Sequence, residues 1–242
     1  MGVKAVSEHI RSVGVWVGLP IHVWIVAEQG GVTLVDTGLK WMAGSILKEI
    51  ERMEAGPLKR IVLTHGHSDH VGSLQTLLAR YPVPVYMHER EIAYAEGDLA
   101  YPGKSRPFAH VQKGLLQPLT AAGKNGLDPI GSLQPFFTPG HSPGHVVYFH
   151  AQDQVLLAGD LFHAKRGRLL PARFSPDPAL ALRSGNVLRT LDPERLEVCH
   201  GGTVYRPAGQ LGDLEQEAER AETAAKARQA RIEAKKSKRS RQ

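Results

Sequence analysis

Cysteine is almost absent: Cys199 stands alone in 242 residues, so no internal disulfide can form and the chain suits a reducing compartment. Long apolar runs are missing as well. No stretch approaches the roughly 18 apolar residues of a membrane span, and the N-terminus lacks a basic region followed by an uninterrupted apolar core. Neither a transmembrane helix nor an export signal is expected, and the cytoplasm is the expected location. No self-similarity recurs at a period of about 20 to 50 residues, which excludes a repeat architecture. Basicity is missing from most of the chain. The formal charge is +6, but residues 224–242 hold eight Lys/Arg against Glu233 alone, a net of +7 that leaves the rest at about −1.

The remaining length suits one α/β domain. Residues 1–211 are expected to form it, with 212–242 a charged tail. That tail places Asp213, Glu215, Glu217 and Glu219 before its bases, as a solvated helix with a favourable dipole would; attachment to nucleic acid or anionic lipid is the alternative. Within the domain, residues 13–38 read as strands about a turn at Gln29-Gly30-Gly31. Helix 41–54, strand 59–64, helix 70–80 and strand 83–87 then follow in βαβ style. Residues 88–132 read as a glycine-rich lid with helical turns, the segment AHVQKGLLQPLTAA (109–122) among them. Strands are expected again at 134–138, 145–149, 154–160 and 196–199, with a helix over 177–190.

Chemistry concentrates at the C-terminal ends of these strands, where α/β sheets present functional groups. The run THGHSDH (64–70) packs His65, His67, Asp69 and His70 onto a strand-to-helix connection. His141 follows Thr138-Pro139-Gly140, Asp160 follows Ala158-Gly159, and His200 follows Cys199. Imidazole and carboxylate are the usual ligands of zinc, manganese and iron. Seven such groups are too many for one catalytic ion that keeps a position open for water. They suit two ions sharing one carboxylate, with a hydroxide between them. His9, His22, His110 and His150 lie outside this pattern and are read as hydrogen-bonded or exposed, and Cys199 as packing at a strand end.

The spacing His65-x-His67-x-Asp69-His70, the later His141, Asp160 and His200, and the upstream Val35-Asp36-Thr37-Gly38 resemble the metallo-β-lactamase-fold hydrolase superfamily over roughly residues 13–205. The resemblance implies a four-layer αβ/βα sandwich with metals at one edge. It implies that His65, His67 and His141 hold a first divalent ion, that Asp69, His70 and His200 hold a second, that Asp160 bridges them, and that Asp36 orients the His-rich loop. Zinc is the expected metal, with manganese or iron as alternatives. The implied activity is attack by a metal-bridging hydroxide on a small ester, lactone or thioester. In that reaction Asp69 takes up or relays the proton, and His163 either donates to the oxyanion or lines the pocket. Arg166, Arg168 and Tyr205 are weaker candidates for that donor. A phosphodiesterase or nuclease anchored by the basic tail is the second reading, and a metal-bound sensor without turnover the third. A glyoxalase II would carry a further helical domain, and little but the tail follows His200. Persulfide dioxygenases show a Gly-Arg-Thr-Asp-Phe-like segment, whose nearest match here is Gly167-Arg168-Leu169-Leu170.

Overall fold

Alternating β-branched and aromatic residues make the N-terminal run a meander. In the computed structural model, which describes residues 1–122 and 126–239, β1 (Gly2–Ala5), β2 (Ile10–Trp16), β3 (Pro20–Glu28) and β4 (Gly31–Val35) pair antiparallel in sequence order. The connections then lengthen and carry helices. α1 (Ala43–Arg52) leads to β5 (Leu58–Val62), α2 (Ser68–Val71) and α3 (Leu74–Arg80) lead to β6 (Val85–Met87), and α4 (Glu89–Ala95) precedes β7 (Leu116–Pro118). From β4 to β7 the pairing is parallel, as helical crossovers require. A small hairpin of β8 (Ala121–Ala122) and β9 (Gly126–Leu127) follows.

The second sheet runs in the order β10 (Leu133–Phe137), β11 (Val146–His150), β12 (Val155–Leu157), β15 (Arg195–Glu197) and β16 (Thr203–Tyr205). Between β12 and β15 the chain forms the hairpin β13 (Phe162–Lys165)/β14 (Arg168–Pro171) and two short helices, α5 (Pro178–Ser184) and α6 (Val187–Leu191). The side-chain alternation of β11 divides the core. Val146 and Tyr148 point into a cluster shared with β2 to β5, whereas Val147 and Phe149 point into a cluster shared with Leu188, Leu211 and Leu214. Both faces of the second sheet are therefore covered. β4, buried along its whole length, is covered likewise by the other sheet and by α1. Helix, sheet, sheet, helix is the expected four-layer αβ/βα sandwich.

Four details depart from the sequence reading. The helix expected over 70–80 breaks at Gly72-Ser73, because the Gly72 N–H turns to Gly38 O (2.8 Å) and Ser73 Oγ to Leu39 O (2.6 Å). The helix expected over 177–190 likewise divides at Gly185-Asn186. The segment 109–122 holds no helix: Leu116–Pro118 pairs with β6 instead, with its proline on the sheet edge, where a missing N–H costs nothing. Residues 88–132 are thus not a lid throughout, since α4 and β7 belong to the body. After β16, α7 (Ala208–Arg239) is one continuous helix. Its first turns bury Leu211 and Leu214, and Arg189 and Arg168 pair with Glu215 and Glu217. Among the described residues no helix is long and apolar enough to cross a membrane.

Candidate metal centre

Every sequence-expected ligand sits just past a strand end. The loop after β5 carries His65, His67, Asp69 and His70; His141 lies beyond β10, Asp160 beyond β12 and His200 beyond β15. All seven converge. His67 Nδ1 lies 2.9 Å from His65 Nε2 and 3.1 Å from His141 Nε2. Beside this trio, His200 Nε2 lies 3.2 Å from Asp69 Oδ2 and 3.2 Å from Asp160 Oδ2, and His70 Nε2 lies 3.5 Å from Asp160 Oδ1. Asp160 Oδ2 is also 3.5 Å from His141 Nε2, so its carboxylate faces both groups. Cys199, read from sequence as packing, is buried, and its thiol falls within the Asp69/His70/His200 group.

The outer faces of these rings are held from behind. Asp36, at φ +60 and fully buried, takes a conformation that aspartate tolerates better than most residues. Its carboxylate accepts from Thr64 N (2.8 Å), Thr64 Oγ1 (2.8 Å) and His70 Nδ1 (2.8 Å). His70 Nε2 is thereby left facing the centre. His200 Nδ1 donates to Pro20 O (2.9 Å) with the same result. A carboxylate behind a ligating imidazole fixes its tautomer and raises its basicity. Asp36→Asn is therefore expected to lower metal affinity about 10- to 100-fold; unchanged affinity in a chelator competition would remove Asp36 from this role.

Two observations test whether a metal fits. First, the three nitrogens of the trio face one another, and one ring proton on His67 can satisfy only one of its two neighbours. A cation at their centre would satisfy all three, and their spacing approaches the about 3.3 Å between nitrogens around tetrahedral zinc. Burial holds His65 well below the usual histidine range, brings His67 down to about 3 and lowers His141, so these rings are neutral as ligands must be. Second, His70 Nε2 and Asp160 Oδ1 are buried with no hydrogen-bond partner, an arrangement that costs several kcal/mol unless something pairs with them, of order 1–3 kcal/mol per group.

Charge in the second group follows the same logic. Burial opposes the charged forms of His70 and His200, yet Cys199, Asp69 and Asp160 raise both rings above the ordinary range, with Asp36 adding to the effect on His70. Burial also opposes the Asp69 carboxylate, but His70 and His200 bring it down to about 2. The carboxylates thus draw positive charge to both Nε2 atoms, as a proton or as a divalent cation. The residues fit a metal centre.

Three of the four histidines set aside in the sequence behave differently, and the fourth, His110, borders the cavity described below. His9 Nδ1 pairs with Asp153 Oδ1 (2.7 Å), the Asp153 N–H donates to His150 Nδ1 (3.2 Å), and Ser12 Oγ meets His22 Nδ1 (3.2 Å). Although His9, His150 and Asp153 cluster tightly, these contacts make them a clasp between the β1–β2 turn and the β11–β12 turn. His163 lies on β13, buried, its ring 5.1 Å from His200 and its Nε2 without a partner. Burial brings it down to about 4, so it is neutral. Arg166, Arg168 and Tyr205 do not reach the centre: the first two flank the β13–β14 turn, with Arg168 paired to Glu217, and Tyr205 is exposed beneath Arg195.

Two residues that sequence reasoning passed over hold the loops in place. Glu91 on α4 is fully buried. Its Oε1 accepts from Gly66 N (3.1 Å) and Tyr101 Oη (2.7 Å), and its Oε2 from Ser142 Oγ (2.8 Å) and Gly144 N (2.6 Å). One carboxylate therefore ties the His65–His67 loop to the His141 loop. Burial pushes the Glu91 carboxyl up, but two of its partners are backbone N–H groups that can only donate, so the carboxylate is the form this shell fits. The loops approach α4 so closely that a Cβ on Gly66 would fall 2.6 Å from Ala95 Cβ, and one on Gly144 2.5 Å from Glu91 N. His145 is the other: its Nε2 accepts the Asp160 N–H (3.2 Å) and its Nδ1 meets Thr138 Oγ1 (2.9 Å).

A cavity of about 490 Å³ opens onto the centre, with His67, Ser68 and Asp69 in its wall beside Tyr101, His110 and Phe174. The sequence model of the metallo-beta-lactamase superfamily matches residues 16–200. The probable metallo-hydrolase YybB of Bacillus subtilis is 35% identical over 207 residues, covering 83% of this chain and 91% of that protein. A hydroxyacylglutathione hydrolase of Hahella chejuensis is 31% identical over 182 residues, 74% of this chain and 60% of that enzyme. Among solved structures, TTHA1623 in a di-iron-bound form superposes with a TM-score of 0.62 at 28% identity, covering 85% of this chain and 96% of that one.

Proposed function

This chain belongs to the metallo-beta-lactamase superfamily and is a metal-dependent hydrolase, and from that premise we propose that it uses two divalent ions to cleave a small ester, lactone or thioester. The observation that carries the proposal is the pair of ligand groups meeting at Asp160. His65, His67 and His141 would hold one ion, Asp69, His70 and His200 the other, and Asp160 both. Zinc suits these nitrogen and oxygen donors; the di-iron form of TTHA1623 supports iron as the alternative. When bound, the ions supply a water that ionises near neutral pH and an electrophilic hold on the acyl oxygen.

The chain's own groups then divide the work. Asp69 lines the cavity and its Oδ2 faces His200; its other oxygen would accept a proton from the attacking water and return it to the leaving oxygen or sulfur. His163, neutral and with Nε2 unpartnered, offers a hydrogen bond to the oxyanion. The hydroxyacylglutathione hydrolase relatives support the thioester among the three substrate classes.

Chromogenic esters, lactones, thioesters and bis-phosphodiesters, assayed with zinc, manganese and iron, test this reading. Turnover confined to the acyl substrates is expected, and turnover of the phosphodiester alone would replace the proposal with a nuclease. The basic segment 224–242 favours that second reading. Deletion of 224–242, which spares the buried Leu211 and Leu214, is expected to leave acyl hydrolysis unchanged. A nuclease would instead lose affinity for nucleic acid and show a flatter salt dependence, because counterion release falls with each phosphate contact removed.

A further inference from the structure

The cavity above the metal centre has an unusual wall. Two aromatic side chains from separate segments, Phe108 and Phe174, border it while 70% and 87% exposed. Surface aromatics of this size bury little on their own and usually serve an interface or a ligand. On the same rim stand Lys104 and Arg106. Nearby Lys113, by contrast, is paired with Asp98 at 2.5 Å. The side chains of Lys104 and Arg106 have no carboxylate within 4.0 Å and no hydrogen-bond partner among the described residues. Outside residues 224–242 the chain is near neutral, so two unpaired cations side by side on the rim, away from the Asp69 end of the wall, are a local attraction for an anion rather than part of a general basicity.

We propose that the substrate is an amphipathic anion. In this reading, which rests on the hydrolase assignment above, the scissile acyl group lies against the centre at His67 and Asp69. An aromatic or branched apolar body lies between Phe108 and Phe174, and a carboxylate or sulfonate on that body meets Lys104 and Arg106. Each piece of the recognition is separable. The aromatics contribute to any apolar ligand regardless of charge, while the cations contribute only to an anion, and their share fades as salt screens it over about 8–10 Å.

The test uses binding as well as turnover, with the full metal-loaded chain. The probes are 2-naphthalenesulfonate and its uncharged analogue 2-naphthyl methyl sulfone, titrated by calorimetry at low and at physiological ionic strength. Two partly exposed ion pairs predict that the sulfonate binds roughly tenfold tighter at low salt. In the Lys104→Ala/Arg106→Ala variant the two probes are expected to bind within about twofold of each other, with metal content unchanged. Phe108→Ala is expected to weaken both probes alike. Equal binding of the two probes by the unaltered protein, or a preference that survives in the double variant, overturns the proposal. Failure of the hydrolase assignment reads out separately, as absence of turnover on neutral and anionic esters and thioesters alike while the sulfonate preference and its dependence on Lys104 and Arg106 persist.

Discussion

His67→Ala is expected to lower hydrolysis at least about a thousandfold, because it removes the nitrogen on which the other two imidazoles of the trio converge and with it an ion worth several kcal/mol of transition-state stabilisation. The metal content should fall by one ion per chain, since His65, His141 and a carboxylate shared with the second ion would hold the first too weakly to retain it. His150→Ala is the control: a buried histidine placed in the clasp with Asp153 at the opposite end of β11. It should retain both ions and nearly full turnover. Metal analysis and steady-state rates on the two variants decide the matter. Near-normal activity in His67→Ala would end the hydrolase mechanism proposed here, and saturation of the unaltered protein at one ion would end the bridging role of Asp160.

The second large effect is expected far from any ligand in sequence. Glu91→Gln preserves volume but turns an NH2 group toward one of two pairs of donors, Gly66 N and Tyr101 Oη or Ser142 Oγ and Gly144 N. At least one buried N–H or O–H loses its acceptor, at a cost of about 1–3 kcal/mol each. The two loops carrying His65, His67 and His141 are then no longer registered against each other. Metal affinity should drop about 10- to 100-fold, as it does when groups behind a ligand are altered. Cobalt loaded in place of the native metal should show an altered visible spectrum, which a loss of general stability alone would not produce. An unchanged spectrum and affinity would reduce Glu91 to a packing residue.

The contrast between these two residues explains what the sequence discloses. His65, His67, Asp69 and His70 fall within six positions, so their convergence is local and readable from spacing. His141, Asp160 and His200 are readable because each follows an apolar strand. Glu91 offers no such signal. It sits in a short helix, and three of its four partners are 25, 51 and 53 residues away, so only the tertiary fold brings them together. His145 escapes for the same reason, since its meaning depends on the Asp160 N–H fifteen residues on. The misread segment 109–122 fails through context: Leu116–Pro118 lies among residues with helical apolar spacing, but the open edge of β6 supplies ladder hydrogen bonds, and tertiary pairing outweighs propensity.

The Tyr101–Glu91 hydrogen bond marks where the structural obligations of this region stop. Before it, α4 is locked to the loops of the centre; after Val111 the chain re-enters the core on its way to β7. The segment between, with Lys104, Arg106 and Phe108 on the cavity rim, is fastened at both ends, and the residues of the metal centre make no hydrogen bond to it. Such a stretch behaves as an interchangeable cassette. Descendants of this chain can acquire new substrates by rewriting about eight residues there, while the inherited reaction centre is passed on untouched.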